Sequence, residues 1–375
     1  MECWRKSAGL IFSASNFLHS TVVFTGVTFT CVTTKSKPEK TMQKKLVTAI
    51  ALTMGATLSL EAFATEWNVS LWGKRRAFTE HVEKLAELVE QKTDGQFKLN
   101  LSYGGLSKNK ENLDGISIGA FEMAQFCAGY HPDKNPSITV MELPFLGVSS
   151  LRQEADISMA VYKHPAAKRD LDRWNATLLM PSPLPQYNIL GKGEAPSTLT
   201  DFEGLAVRAT GGIGAAMREV GAVPSSMSAS EVRQALDSGV ISAASFAPHA
   251  HMSFGTVEVG EWWTTNLNPG SVNCPVVVNS DALADLPDEH REALLSSVDE
   301  SLDHYINFYE NKTMARWWPT LEERGIKQVS FSDDALEAFR ERVAEPAAKA
   351  WLADMQAKGV DGQALLDLVE SELAK

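Results

Sequence analysis

Arg208 is the side chain in this sequence best placed to do chemistry, because Leu205-Ala206-Val207-Arg208-Ala209 reads as a strand and Thr210-Gly211-Gly212 as its turn into a helix. A strand ending in a glycine pair before a helix brings a guanidinium and several backbone N–H groups to one sheet edge. Arginine can grip a carboxylate there through two parallel hydrogen bonds. The same pattern suits a solvated surface arginine, and the residues alone leave both uses open. Gly211-Gly212-Ile213-Gly214 lacks the G-x-G-x-x-G spacing and is followed by no Walker lysine, which argues against a nucleotide. His249-Ala250-His251 could set two imidazoles on one strand face, but no third ligand stands at a fitting spacing. No metal and no cofactor is expected. Trp262-Trp263 reads as a loop between two groups of elements, where Trp263 could wall a ligand or meet a cation, and Trp72 closes the first strand. Core packing is the simpler use of these rings, as it is for Trp317-Trp318 on a helix. G-x-S-x-G and H-E-x-x-H are missing, so no enzyme is expected, although Ser, His and Asp far apart in sequence could still assemble.

These residues need elements to position them. Trp67 to Leu71 reads as a strand, Phe78, Val82, Leu85 and Val89 recur at helical spacing up to Asp94-Gly95, and Phe97, Leu99 and Leu101 alternate as a half-buried strand does. Leu113, Ile116 and Ile118 then mark a helix, and Met123 to Phe126 a strand. This alternation predicts an α/β fold with a parallel-rich sheet. After a loop holding Pro181, Pro183 and Pro185, a second set follows: strands at Tyr187 to Leu190, Leu205 to Ala209 and Ala243 to Phe246, with helices at Gly214 to Val220 and Ser230 to Leu236. Cys274 to Asn279 is an apolar strand suited to rejoin the first sheet. Helices fill the remainder, and Pro319 is expected to end or kink the first long one. The domain reading is thus a first lobe over 65–186, a second over 187–273, and 274–375 as return strand and C-terminal helices, the crossings forming a hinge.

The N-terminus points to export. Lys44 and Lys45 precede an apolar run from Leu46 to Leu60, and Ala62-Phe63-Ala64 is an A-x-A cleavage pattern, so Met42 to Ala64 reads as a signal peptide. Residues 1–41 then read as an extension from a start codon assigned too early. The apolar run is short of the ~20 residues a membrane span needs, so the protein is not expected to span one. Residues 1–64 hold 7 of the 35 Lys and Arg and 3 of the 47 Asp and Glu, leaving 28 against 44 and a net charge near −16. A nucleic-acid partner is disfavoured. Cys127 and Cys274 fall in apolar, strand-like contexts beyond the signal; a disulfide is permitted there, and two buried thiols suit the contexts at least as well.

Taken in order, Ser70-Leu71-Trp72-Gly73, Leu113 to Ala124, Ala128-Gly129-Tyr130, Glu142-Leu143-Pro144-Phe145-Leu146, the strand ending at Arg208, Ala235-Leu236-Asp237-Ser238-Gly239 and Leu286-Pro287-Asp288 resemble the solute-binding proteins of tripartite ATP-independent periplasmic (TRAP) transporters, the DctP-like family. The resemblance covers nearly the whole exported chain. It implies a two-lobed periplasmic binding protein fold with hinge-crossing strands and a long helix spanning both lobes. It also implies that Arg208 binds the carboxylate of a small organic acid and that Trp72, Tyr130, Tyr187 with Asn188, and Phe246 to His249 stand near the ligand. The implied partners are that acid and the TRAP permease membrane subunits. Many relatives carry a second arginine near Tyr187-Asn188-Ile189-Leu190, which this chain lacks, so a monoacid, sulfonate or zwitterion fits the resemblance better than a symmetrical dicarboxylate. A periplasmic ligand sensor for a signalling receptor is the alternative use of the same fold, and a secreted enzyme a more remote one.

Overall fold

A computed structural model describes residues 64–375, together with a short antiparallel pair, Val23–Phe24 with Val27–Thr28. The expected signal peptide Met42 to Ala64 and the extension before it otherwise lie outside the described residues. No described helix is long and apolar enough to cross a membrane.

Local chemistry accounts for the opening elements. His81, Val82, Leu85, Leu88 and Val89 share the buried face of the helix Glu80–Lys92. Gly95, at φ 77°, closes that helix by donating its N–H to the Glu90 carbonyl at 2.8 Å, a conformation few other residues adopt cheaply. In the strand Phe97–Tyr103 the buried Phe97 and Leu99 alternate with the exposed Lys98 and Asn100.

The first sheet runs Phe97–Tyr103, Thr65–Leu71, Met123–Gln125, Pro275–Asn279, Ala176–Pro181, and the second runs Lys327–Val329, Trp262–Thr264, Asn188–Gly191, Ala243–Phe246, Ala206–Arg208, Val223–Ser225. Both are mixed, not simply parallel. Pro275–Asn279 is antiparallel to its two neighbours, and Asn188–Gly191 is antiparallel to both of its own. Each of these strands enters its sheet after the chain has crossed from the other lobe, so it starts at the cleft where its neighbours end. Lys327–Val329, too short and polar for periodicity to reveal, adds an edge to the second sheet from within the C-terminal region that the sequence reads as helical.

Apolar clusters cover both faces of the first sheet, one around Val69, Leu85 and Val276 and the other around Phe126, Ile138 and Val277, while the second sheet packs around Ile189, Phe202 and Trp262. Helix Val298–Phe308 continues through a π-helical turn, Tyr309–Thr313, into Met314–Glu323. Its start packs Leu302 into the first lobe and its end packs Trp317 and Leu321 into the second, so this helix crosses the hinge. Pro319 does not end it. The Ala315 residue whose carbonyl loses its N–H donor is exposed to water, and the helix runs on to Glu323.

Candidate ligand-binding site

The antiparallel entries explain why one cleft gathers so many side chains. Strand C-termini deliver Trp72, Arg208 and Phe246, and the two reversed strands deliver Tyr187 and Cys274 just before they begin. Between the sheets lies a partly open cavity lined by these side chains.

Arg208 is 3 % exposed and held on three sides. Its Nε donates to the Met227 carbonyl (3.3 Å), Nη1 to the Ser245 carbonyl (3.2 Å) and Nη2 to the Tyr130 hydroxyl (3.0 Å), and its guanidinium carbon stands 4.5 Å from the centre of the Phe246 ring. One N–H on each terminal nitrogen is left over. Such a fixed fork is pre-organised for a carboxylate.

Of the other expected residues, Trp72, Tyr130, Tyr187, Phe246 and His249 line the cavity with Arg208. Asn188 and Trp263 do not. The Asn188 carboxamide is consumed within the second lobe: Oδ1 accepts from Thr264 Oγ1 (3.0 Å) and Leu267 N (3.0 Å), and Nδ2 donates to Asn268 Oδ1 (2.7 Å). Trp263 packs edge-on against Trp317 (5.3 Å) and Trp318 (5.6 Å). The imidazoles of His249 and His251 also separate, because Pro248–Ser253 is a helix and residues two apart on a helix face different ways. His249 Nδ1 meets the Tyr309 hydroxyl (3.0 Å) in the π-helical turn of the hinge helix, and His251 Nδ1 meets Thr256 Oγ1 (2.8 Å). Among the described residues no cluster of metal-binding side chains occurs.

Two ionisable cavity residues escaped the sequence reading. Arg76 looks like the end of a surface charge run, Lys74-Arg75-Arg76, yet it is 7 % exposed. Burial pulls its guanidinium down to about 10, which leaves it charged at neutral pH. Glu142 is buried in the opposite wall, where Oε1 accepts the N–H groups of Gly129 (3.1 Å) and Asn273 (3.2 Å). Burial pushes it up to about 7 against those bonds. Cys127 and Cys274, just beyond the paired ends of two neighbouring antiparallel strands, form a disulfide in the same wall.

Glu142 also marks where the lobes touch. A Cβ on Gly212 would stand 1.8 Å from the Glu142 carbonyl oxygen, and one on Gly211 2.2 Å from Glu142 Oε2. Backbone cannot yield at that distance, so the glycine pair permits this interlobe approach. Gly212→Ala is expected to weaken ligand binding by about tenfold or more, from the ~1 to 3 kcal/mol that overpacking costs. Calorimetry checks this, and wild-type affinity would rule out the contact.

Buried imidazoles make the fold acid-sensitive. Desolvation pulls His81 and His251 down to about 3 and His131 to about 4, and puts His249 well below its ordinary value. A depressed histidine leaves stability intact above about pH 6.5 and removes it as pH falls, because only the unfolded chain takes up the proton. As pH falls below about 6.5 each neutral imidazole loses stability, whereas the raised carboxyls Glu142 and Glu154 regain it over the same window. The four rings are expected to stay neutral in the folded protein at pH 5.0; NMR titration of the ring protons checks this, and a ring that protonates above pH 5.0 without unfolding would contradict neutral burial.

Residues 69–354 match the model of the family described as bacterial extracellular solute-binding protein, family 7 (DctP). The C4-dicarboxylate-binding periplasmic protein DctP of Rhodobacter capsulatus is 27% identical over 237 residues, covering 59% of this chain and 66% of that protein. The outer membrane transporter protein TsaT of Comamonas testosteroni is 23% identical over 301 residues, covering 78% and 86%. Among solved structures, DctP7 of Bordetella pertussis, an extracytoplasmic solute receptor binding pyroglutamic acid, superposes with a TM-score of 0.71 at 22% identity, over 82% of this chain and 100% of that one.

Proposed function

This chain belongs to the bacterial extracellular solute-binding proteins of family 7, the DctP-like receptors of TRAP transporters, and on that premise we propose that it captures a small organic acid in the periplasm and hands it to a TRAP permease. The observation that carries this reading is Arg208: a guanidinium buried at the meeting of two lobes, oriented by three neutral acceptors, with an N–H to spare on each terminal nitrogen. The acid group bonds to this fork, the aromatic walls take the ligand's body, and the lobes close over it. Closure is a population shift driven by the ligand's extra contacts in the closed state, and the closed surface is what the permease reads. The protein binds its ligand without transforming it.

A thermal-shift screen of the exported protein against monocarboxylates, dicarboxylates, sulfonates and zwitterions tests the reading. Ligand at ~100 times its dissociation constant adds about 2.7 kcal/mol to stability, which raises the midpoint by several degrees in a chain of this size. A response to none of these classes would refute the acid reading.

A further inference from the structure

The cleft buries two guanidinium groups and pairs neither with a carboxylate. Every acceptor that Arg76 and Arg208 meet among the described residues is neutral: the carbonyls of Trp72, Lys74, Met227 and Ser245, and the Tyr130 hydroxyl. Glu142, the carboxyl group in the wall, gives Oε1 to two backbone N–H groups. A buried cation left without a counter-charge is strongly unfavourable, so two of them in one cavity call for two negative charges from outside.

Arg76 is built to receive the second. Nη1 is fully used, donating to the Trp72 carbonyl (2.9 Å) and the Lys74 carbonyl (2.8 Å), whereas Nε and Nη2 are buried with no partner. Those two nitrogens form one edge of the planar guanidinium, an edge that matches both oxygens of a carboxylate. The group is held in place by rings: its carbon lies 4.3 Å from the centre of Trp72, 5.1 Å from Phe78 and 5.5 Å from Phe254. The same rings, with Tyr187 and Phe246, line the cavity beside the polar groups of Glu142, Thr210 and His249. Ring faces on several sides suit a flat ligand body.

We infer that the ligand is a flat dianion, of the aromatic diacid class, with one acid group on Arg208 and the other on the Nε/Nη2 edge of Arg76. This rests on the reading that Arg208 holds the first acid group. It also restores at Arg76 the second cationic contact that the Tyr187 to Leu190 strand does not supply.

Calorimetry on the full exported chain tests this with the three benzenedicarboxylate isomers, benzoate and succinate. At least one ring diacid is expected to bind about 100-fold more tightly than benzoate, within the range for a buried charge gaining its partner. Arg76→Met should bring that diacid to within about threefold of benzoate, both measured on the variant. Arg76→Lys, which keeps the charge and loses the planar edge, should recover only part of the preference and serves as the second variant if Arg76→Met does not fold. Unchanged diacid preference in both variants overturns the assignment, as does benzoate binding as tightly as every ring diacid. Succinate matching the best ring diacid overturns the flat-body requirement. If the monoacids bind and lose binding in Arg208→Ala while no diacid gains, the inference fails and the proposed function stands; if no acid of either kind binds, both fall.

Discussion

Arg208→Ala is expected to weaken binding of the acid ligand by about 30- to 4,000-fold, the ~2 to 5 kcal/mol lost when one member of a buried, hydrogen-bonded charge pair is truncated. The size of the loss follows from the surroundings. The ligand's carboxylate would face the hydroxyl of Tyr130 and the ring of Phe246 in a space that admits little water. The loss should appear mainly in the dissociation rate, because removing one partner of a buried, hydrogen-bonded charge pair acts on release more than on encounter. Surface plasmon resonance separates the two rates. A mutant as tight as wild type would mean that the acid group lies elsewhere, whereas a loss confined to association would make Arg208 a steering charge and not a binding one.

Replacing both cysteines, Cys127→Ala with Cys274→Ala, is expected to lower stability by up to about 5 kcal/mol. The bond joins positions 147 residues apart, so it removes a large share of the unfolded chain's freedom; measured losses for natural disulfides run from ~2 to 5 kcal/mol. The closed loop contains the whole second-lobe sheet except its edge strand Lys327–Val329. Both positions border the cavity, so ligand affinity reports on the wall separately from global stability. Urea unfolding of the double mutant, with and without ligand, gives both numbers. Unaltered stability would mean that the unfolded chain is already constrained over this span.

Much of the fold was legible because the main elements carry their own periodicity. The helix Glu80–Lys92 repeats its apolar residues every three or four positions, the strand Phe97–Tyr103 alternates, and the strand Ala243–Phe246 coincides with the segment read from the sequence. Sheet direction was not legible. Periodicity reports which face of a strand is buried, whereas the direction of Asn188–Gly191 and Pro275–Asn279 depends on the chain having just crossed between lobes. The sequence also left open a shared strand face for His249 and His251, and the boundary between the strand Ala243–Phe246 and the helix Pro248–Ser253 decides where each ring points.

What the sequence determined by itself is most of the order of elements, the strand that carries Arg208 to its end and the excess of acidic residues, because each is written in adjacent residues. Whether Arg208 is surface or buried, whether Cys127 and Cys274 pair, and that Arg76 faces a cavity while Asn188 and Trp263 pack elsewhere were decided only by tertiary structure. A side chain's charge is a property of one residue. Its desolvation and its partners are properties of everything packed around it, and in this protein those neighbours come from strands up to about two hundred residues apart in the chain, brought to one cleft by crossings that no local pattern encodes.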